Sequence, residues 1–154
     1  MINSMPDILL IEDNKYNVEF ILEALEKNGM VNRVKVFHDG EKALDYLFAA
    51  GEYAGRDSFE LPRVILLDLK LPKVDGHEVL RRIRSNDLTK TIPVVVFSSS
   101  IEEKDRVESY RLGANSYIIK PAAYDSFVES AAEIGLYWTL LNVPPNHSGK
   151  AYSM

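Results

Sequence analysis

The sequence predicts an α/β fold, a doubly wound sheet of five parallel strands with helices on both faces. Three observations carry this. Four short apolar runs, Ile8-Leu9-Leu10-Ile11, Val64-Ile65-Leu66-Leu67, Val94-Val95-Val96-Phe97 and Tyr117-Ile118-Ile119, are too brief for helices and rich in β-branched residues. Such runs suit parallel strands covered on both faces. Between them lie segments whose apolar residues step by three and four, the spacing of one helix face. Strand and helix alternate five times, and right-handed crossovers restrict that order to a doubly wound sheet.

The elements follow in order. Ile8 to Ile11 is the first strand, and Val18, Ile21, Leu22 and Leu25 mark the helix after it. Arg33 to Phe37 alternates polar and apolar, as an edge strand does, and Ala43, Leu44, Leu47 and Phe48 mark the second helix. Ala49 to Pro62, with Gly51, Gly55 and three acidic residues, reads as a surface loop. The third strand precedes a helix marked by Val79, Leu80 and Ile83, which Asp75 caps. Gly76 reads as a backbone requirement. After the fourth strand, Val107, Tyr110 and Ala114 mark a helix that ends at Gly113. The last helix runs from Tyr124 to Leu141, with Phe127, Ala131, Ile134, Trp138 and Leu141 on one stripe. Pro144 and Pro145 end it, and Asn146 to Met154 reads as a polar, frayed tail.

Composition narrows the function classes. The chain has 154 residues, a common size for one domain, and 46% hydrophobic content is enough for a core. With 23 acidic against 18 basic side chains, the net charge is -5, which argues against nucleic-acid binding by charge. There are no cysteines, so disulfides, thiolate metal sites and cysteine nucleophiles are excluded, in keeping with a reducing compartment. No apolar run approaches a membrane span, and the N-terminus lacks the order of a signal peptide. The expectation is a soluble, cytoplasmic domain.

Each strong strand ends in a polar residue. The first is followed by Glu12 and Asp13, the third by Asp68, the fourth by Ser98, and the fifth by Lys120 and Pro121. In a parallel sheet these ends share one edge, where doubly wound folds bind ligands. Three carboxylates brought together repel one another, and a hard divalent cation such as Mg²⁺ relieves that repulsion with oxygen ligands. Lys120 adds a mobile positive charge for a phosphate oxygen, and Ser98 adds a neutral donor and acceptor. The set suits phosphoryl transfer onto a carboxylate, a chemistry of positioning and charge neutralisation. Taken singly, each residue has a plainer role. Glu12-Asp13 would complement a helix dipole, Asp68 would end a turn, Ser98 (like Ser99 or Ser100) would cap a helix, and Lys120 would be a surface charge. The joint arrangement sets them apart.

Four segments now stand together: Ile8 to Asn14, Leu67 to Gly76, Pro93 to Ser98 and Gly113 to Pro121. In these the chain resembles a response regulator receiver domain of two-component signalling, a flavodoxin-like fold with strand order 2-1-3-4-5. The resemblance covers 6–141 and leaves 142–154 as a short tail, too small for an output module. The loop at 49–62 and the segment from Gly135 to Pro145 are similar to the single-domain regulators of cyanobacterial-type phytochromes and bacteriophytochromes.

The resemblance implies that Asp68 accepts a phosphoryl group from a sensor histidine kinase, here a phytochrome. Glu12, Asp13, Asp68 and the backbone carbonyl of Lys70 would hold Mg²⁺ or Mn²⁺. Lys120 would bind the phosphoryl group, Ser98 would swing toward it, and Tyr117 would turn inward with the hydroxyl. The surface of the fourth helix, fifth strand and fifth helix would then switch. The peptide bond before Pro121 would be cis. Three positions depart from the commoner family pattern: Glu12 for Asp, Ser98 for Thr, and the long basic Lys70 beside the site.

Other readings are weaker. A relay receiver would pass the phosphoryl group on to a histidine phosphotransfer protein. An aspartyl phosphatase of the haloacid-dehalogenase type needs a general acid/base carboxylate two residues after the nucleophile, where this chain has Lys70. A flavin carrier would find its phosphate repelled by Glu12 and Asp13. The expected role is therefore that of a phosphoacceptor and not an enzyme. His38, His77 and His147 read as surface histidines. On the last helix, Asp125, Glu129 and Glu133 form a charged stripe, and no charge follows until Lys150. The apolar surface of Tyr137, Trp138, Leu140 and Leu141 exceeds one buried face, which suggests a homodimer through this helix.

Overall fold

The computed structural model describes residues 6–30, 33–58 and 60–145. Five parallel strands, β1 (Ile8–Ile11), β2 (Val34–Phe37), β3 (Val64–Leu67), β4 (Val94–Ser98) and β5 (Ser116–Ile119), lie in the order β2-β1-β3-β4-β5. The connecting helices are α1 (Lys15–Glu26), α2 (Gly40–Leu47), α3 (Gly76–Arg84), α4 (Glu103–Arg111) and α5 (Tyr124–Leu136). The doubly wound sheet expected from the sequence is the one observed. The tail at 146–154 and His147 lie outside the described residues.

Side-chain alternation along the strands builds two cores. Leu9, Ile11, Ile65, Leu67, Val94 and Val96 face α2 and α3, where they meet Leu44, Leu47, Leu80 and Ile83. Ile8, Leu10, Val64, Leu66, Val95 and Phe97 face α1 and α5, where they meet Ile21, Leu25, Phe127 and Ile134. Because both faces are covered, the three central strands are buried throughout, whereas the edge strands β2 and β5 are mostly half-buried. The helix starts follow from local chemistry. The Asn14 side chain accepts the Tyr16 and Asn17 amides at the start of α1. Asp39 accepts the Lys42 amide and Asp75 the Glu78 amide. Gly113, with φ +104°, takes the left-handed position just past α4.

Three segments depart from the sequence reading. The 49–62 stretch lies at the surface, as expected, but it is locally ordered. It forms a 3₁₀ turn over Gly51–Tyr53, and Tyr53 packs edge-on against Phe37 and Tyr46. Arg56 donates to the Tyr46, Leu47, Asp57 and Glu60 carbonyls, pinning the segment down, and Leu61 is buried. In α4 the expected inner face is wrong. Val107 and Tyr110 are exposed, and the one buried residue of that helix is Ser109. The apolar residues that anchor this region, Leu112 and Ala114, lie beyond the helix, so the spacing from Val107 to Ala114 spans a helix end.

The third departure is at the C-terminus. The α-helical hydrogen bonding of α5 stops at Leu136, and Tyr137–Leu141 form a π-helical turn closed by the Asn142 amide on the Tyr137 carbonyl. The wider turn breaks the stripe. Phe127, Ala131 and Ile134 are buried as expected and Trp138 packs partly on the core, but Leu141 is 66% exposed and Thr139 is buried instead. The Thr139 hydroxyl donates to the Gly135 carbonyl.

Arg84, which carried no signal in the sequence beyond its charge, ties the sheet's N-terminal edge together. Its guanidinium donates to the Lys90, Ile92 and Gly113 carbonyls and to the Asn115 side chain, whose oxygen also accepts the Val94 amide. At the opposite edge Gly76 has a packing role. A Cβ there would lie 2.4 Å from the Asp68 carbonyl oxygen and 2.5 Å from the Leu69 Cα, both backbone atoms that cannot step aside. Gly76→Ala is expected to destabilise the protein by about 1–3 kcal/mol in urea denaturation; an unchanged midpoint would contradict the close approach.

Candidate functional site

The sheet's ladder extends one residue past β1, β3 and β5 and so fixes the polar residues at its C-terminal edge. The Glu12 amide donates to the Phe37 carbonyl, the Asp68 amide to the Ile11 carbonyl, and the Lys120 amide to the Ser98 carbonyl, at 2.8–3.0 Å. Glu12, Asp13 and Asp68, far apart in sequence, each place a carboxylate oxygen within 4.8 Å of the others. Glu12 and Asp68 are buried and Asp13 is exposed. Three oxygen donors at this spacing are a hard donor set and fit Mg²⁺ or Mn²⁺.

Lys120 reaches into this cluster. Its Nζ lies 2.6 Å from Glu12 Oε1 and 3.4 Å from Asp68 Oδ2, and its side chain is 6% exposed. The other Glu12 oxygen accepts the Asn14 amide, and Asp68 Oδ1 accepts the Leu69 amide. Burial, followed by the charge of Asp68, pushes the Glu12 carboxyl above its ordinary value; Lys120 and the Asn14 amide oppose the shift. The Glu12 carboxylate thus meets Lys120 with one oxygen and the Asn14 amide with the other.

The remaining expected residues gather nearby. Ser98 is buried, and its Oγ accepts the Ser100 amide at 3.1 Å. The half-buried Tyr117 donates its hydroxyl to the Ser100 carbonyl at 3.1 Å. Lys70, two residues after Asp68, has an exposed side chain. The bond before Pro121 departs from the expectation of cis. It is trans, the default state of a peptide bond. His77 is no free surface histidine, because its Nε2 lies 3.1 Å from Ser109 Oγ and 3.3 Å from the Asp105 carbonyl of α4. His38 is exposed, as expected, and meets the Glu12 carbonyl through Nδ1.

Comparison with known proteins decides the family. The response regulator receiver domain matches residues 8–132. This chain is a member of that family. It is 43% identical over 138 residues, 90% of this chain and 86% of the other, to the probable methanogenesis regulatory protein FilR2 of Methanothrix harundinacea. It is 37% identical over 131 residues, 85% of this chain and 87% of the other, to the response regulator Rcp1 of Synechocystis. The crystal structure of Mn²⁺-bound Rcp1 superposes with a TM-score of 0.82 at 34% identity, covering 91% of this chain and 99% of that one. The phosphorylated cyanobacterial phytochrome response regulator RcpA superposes with a TM-score of 0.84 at 41% identity, covering 92% and 99%. The similarity to single-domain phytochrome response regulators is therefore a property of sequence and fold together.

Two residues of this receiver escaped the sequence reading. Ser100 entered only as one of three alternative caps, and Asp105 did not enter at all; yet Ser100 Oγ donates to Asp105 Oδ2 at 2.6 Å. A serine five residues before an aspartate at a helix start was the only signal available.

The Lys120 geometry has a measurable consequence. Lys120→Met leaves the buried Glu12 carboxylate without its cation and is expected to destabilise the free protein by about 3 kcal/mol at neutral pH. An acid whose folded pKa is raised contributes stability below its ordinary value, 4.5 for Glu12, and loses it as pH rises through the folded value. Removing Lys120 removes an opposing influence, so the variant's deficit is expected to shrink as pH falls. Chemical denaturation across pH checks this, and a deficit independent of pH would contradict it.

Proposed function

We propose that this receiver is a phosphorylation switch whose acceptor is Asp68 and whose donor is a sensor histidine kinase of phytochrome type. The observation that carries the reading is the meeting of Glu12, Asp13 and Asp68 oxygens within 4.8 Å, with the Lys120 ammonium against two of them. A carboxylate oxygen of Asp68 forms the new O–P bond as the N–P bond of the kinase's phosphohistidine breaks. The electron pair of that bond returns to the departing imidazole nitrogen. Lys120 exchanges a carboxylate oxygen for a phosphoryl oxygen. Glu12, Asp13, Asp68 and the Lys70 carbonyl hold Mg²⁺ (or Mn²⁺), which supplies positive charge to the transferring group. Similarity to a Mn²⁺-bound and to a phosphorylated response regulator supports both parts.

Once phosphorylated, Asp68 draws the Ser98 hydroxyl toward it, and Tyr117 follows at the neighbouring strand. The change is read on the surface of α4, β5 and α5, within the 6–141 receiver unit. The protein acts in the cytoplasm; among the described residues no helix is long and apolar enough to cross a membrane. Its role is that of an acceptor and not of an enzyme that turns over small substrates. A second copy of the chain docks on the π-helical turn that follows α5. There Tyr137 is 49% exposed and Leu141 66%, beside a groove of about 300 Å³ between β5 and α5 that Ile134, Tyr137 and Trp138 help to line. Trp138 packs partly on its own core, so Tyr137 and Leu141 provide most of the contact.

Three outcomes are expected. Asp68→Asn abolishes acid-labile, Mg²⁺-dependent phosphorylation, and labelling that survives the change refutes the assignment. Asp13→Asn weakens Mg²⁺ binding by at least about tenfold in a titration of the free protein, the lower bound for disturbed metal sites. Sedimentation at micromolar concentration finds a dimer that Leu141→Glu converts to monomer; a wild-type protein that stays monomeric with and without phosphorylation overturns the interface.

A further inference from the structure

The anchorage of α4 differs from that of the other four helices. Each of those buries two or more apolar side chains in a core, whereas α4 buries only Ser109. Val107 and Tyr110, its apolar residues of any size, are 55% and 50% exposed. Burial of apolar area therefore does little to hold this helix, and elements with few such contacts open most readily.

Polar tethers hold it instead. The Ser100 hydroxyl donates to Asp105 Oδ2 at 2.6 Å and accepts the Glu102 amide at 3.2 Å. On the other side His77, from α3, meets the Ser109 hydroxyl and the Asp105 carbonyl. Ser109 Oγ itself donates to that carbonyl at 2.8 Å.

The first tether leads back to the site. Ser100 uses all three of its polar groups, on four partners. Its amide donates to Ser98 Oγ, its carbonyl accepts from the Tyr117 hydroxyl, and its own hydroxyl binds Asp105 and the Glu102 amide. No other residue on the edge facing α4 joins the site serine, the switch tyrosine and the helix in this way among the hydrogen bonds of the described residues.

We propose that Ser100 is a positioning residue that couples Ser98 to α4 through its hydroxyl bond to Asp105. The proposal rests on the reading of Ser98 as the hydroxyl drawn to phosphorylated Asp68. When Ser98 Oγ turns to the phosphoryl oxygens, the part-buried Ser100 amide loses its acceptor, and leaving that donor unpaired is costly. The loop between β4 and α4 must then re-form around a new partner. The short bond to a carboxylate is the strongest contact between that loop and the helix, so the first turn of α4 follows the loop. With no apolar side chain of α4 locked in the core, little resists the movement.

The test uses the full chain with beryllofluoride and Mg²⁺ as a phosphoryl mimic, in wild type, Ser100→Ala and Ser100→Thr. Fluorine NMR reports whether the mimic is bound, and amide hydrogen exchange reports α4. Wild type is expected to bind the mimic and to change exchange across 103–111. Ser100→Ala is expected to bind the mimic to the same extent, to exchange about threefold to tenfold faster in α4 when free, and to lose the mimic-dependent change. Ser100→Thr, which keeps the hydroxyl, restores that change. A merely structural cap would alter exchange in the free protein and leave the response to the mimic intact, and that result overturns the coupling alone. An absent fluorine signal in wild type overturns the acceptor reading of Asp68, and the coupling falls with it.

Discussion

A buried ammonium group between two buried carboxylates is the contact on which the site depends. Lys120 Nζ sits 2.6 Å from Glu12 and 3.4 Å from Asp68, and none of the three side chains is more than 10% exposed. Two carboxylates at this spacing would each be costly to ionise unaided, and the lysine offsets part of that cost. In the transfer proposed above, the same ammonium would meet a phosphoryl oxygen, so the group that stabilises the resting site would also serve the reaction. The arrangement is set by the backbone before any side chain is chosen. Ladder bonds continue one residue past β1, β3 and β5, and those residues are Glu12, Asp68 and Lys120.

The helices divide by how they are attached, four by apolar packing and α4 by polar contacts. On one face α1 and α5 lock together so closely that a Cβ on Gly135 would fall 2.3 Å from the end of the Leu25 side chain. On the other, α2 and α3 bury whole apolar stripes, and Arg84 binds the start of β4 to the start of β5. Only α4 hangs on hydroxyl, imidazole and carboxylate groups. Polar contacts can be exchanged for others at small net cost, whereas emptying a packed core leaves a cavity. Under the switch proposed above, the packed helices would keep the site's geometry while the surface at α4 changes.

The end of α5 shows how one wide turn redirects a surface. With regular α-helical spacing, Trp138 and Leu141 would share the buried stripe. The π turn puts Thr139 inside, where its hydroxyl meets the Gly135 carbonyl, and rolls Leu141 outward. The result is an apolar tip of Leu136, Tyr137, Leu140, Leu141 and Val143, all at least 40% exposed, on an otherwise acidic protein. π turns recur at functional positions because they re-aim side chains without breaking the helix.

By itself the sequence determined the sheet, its parallel sense and the residues along its functional edge. Each of those signals is local: a β-branched run reports a strand, and the residue just after it reports the edge. It also determined the cap at Asp75, whose partner lies within three residues. Only the tertiary structure decided the face of α4, the folding-down of 49–62, the four-fold role of Arg84, the turn at 137–141 and the link through Ser100. The physical reason is common to these cases. Periodicity tells which residues prefer to leave water, not which polar partner waits across the fold. His77 and Ser109 stand 32 positions apart and Arg84 and Asn115 stand 31 apart, and no spacing rule connects them. Where apolar burial sets the structure the chain reads plainly; where polar tethers set it, as at α4, the fold had to bring the partners together first.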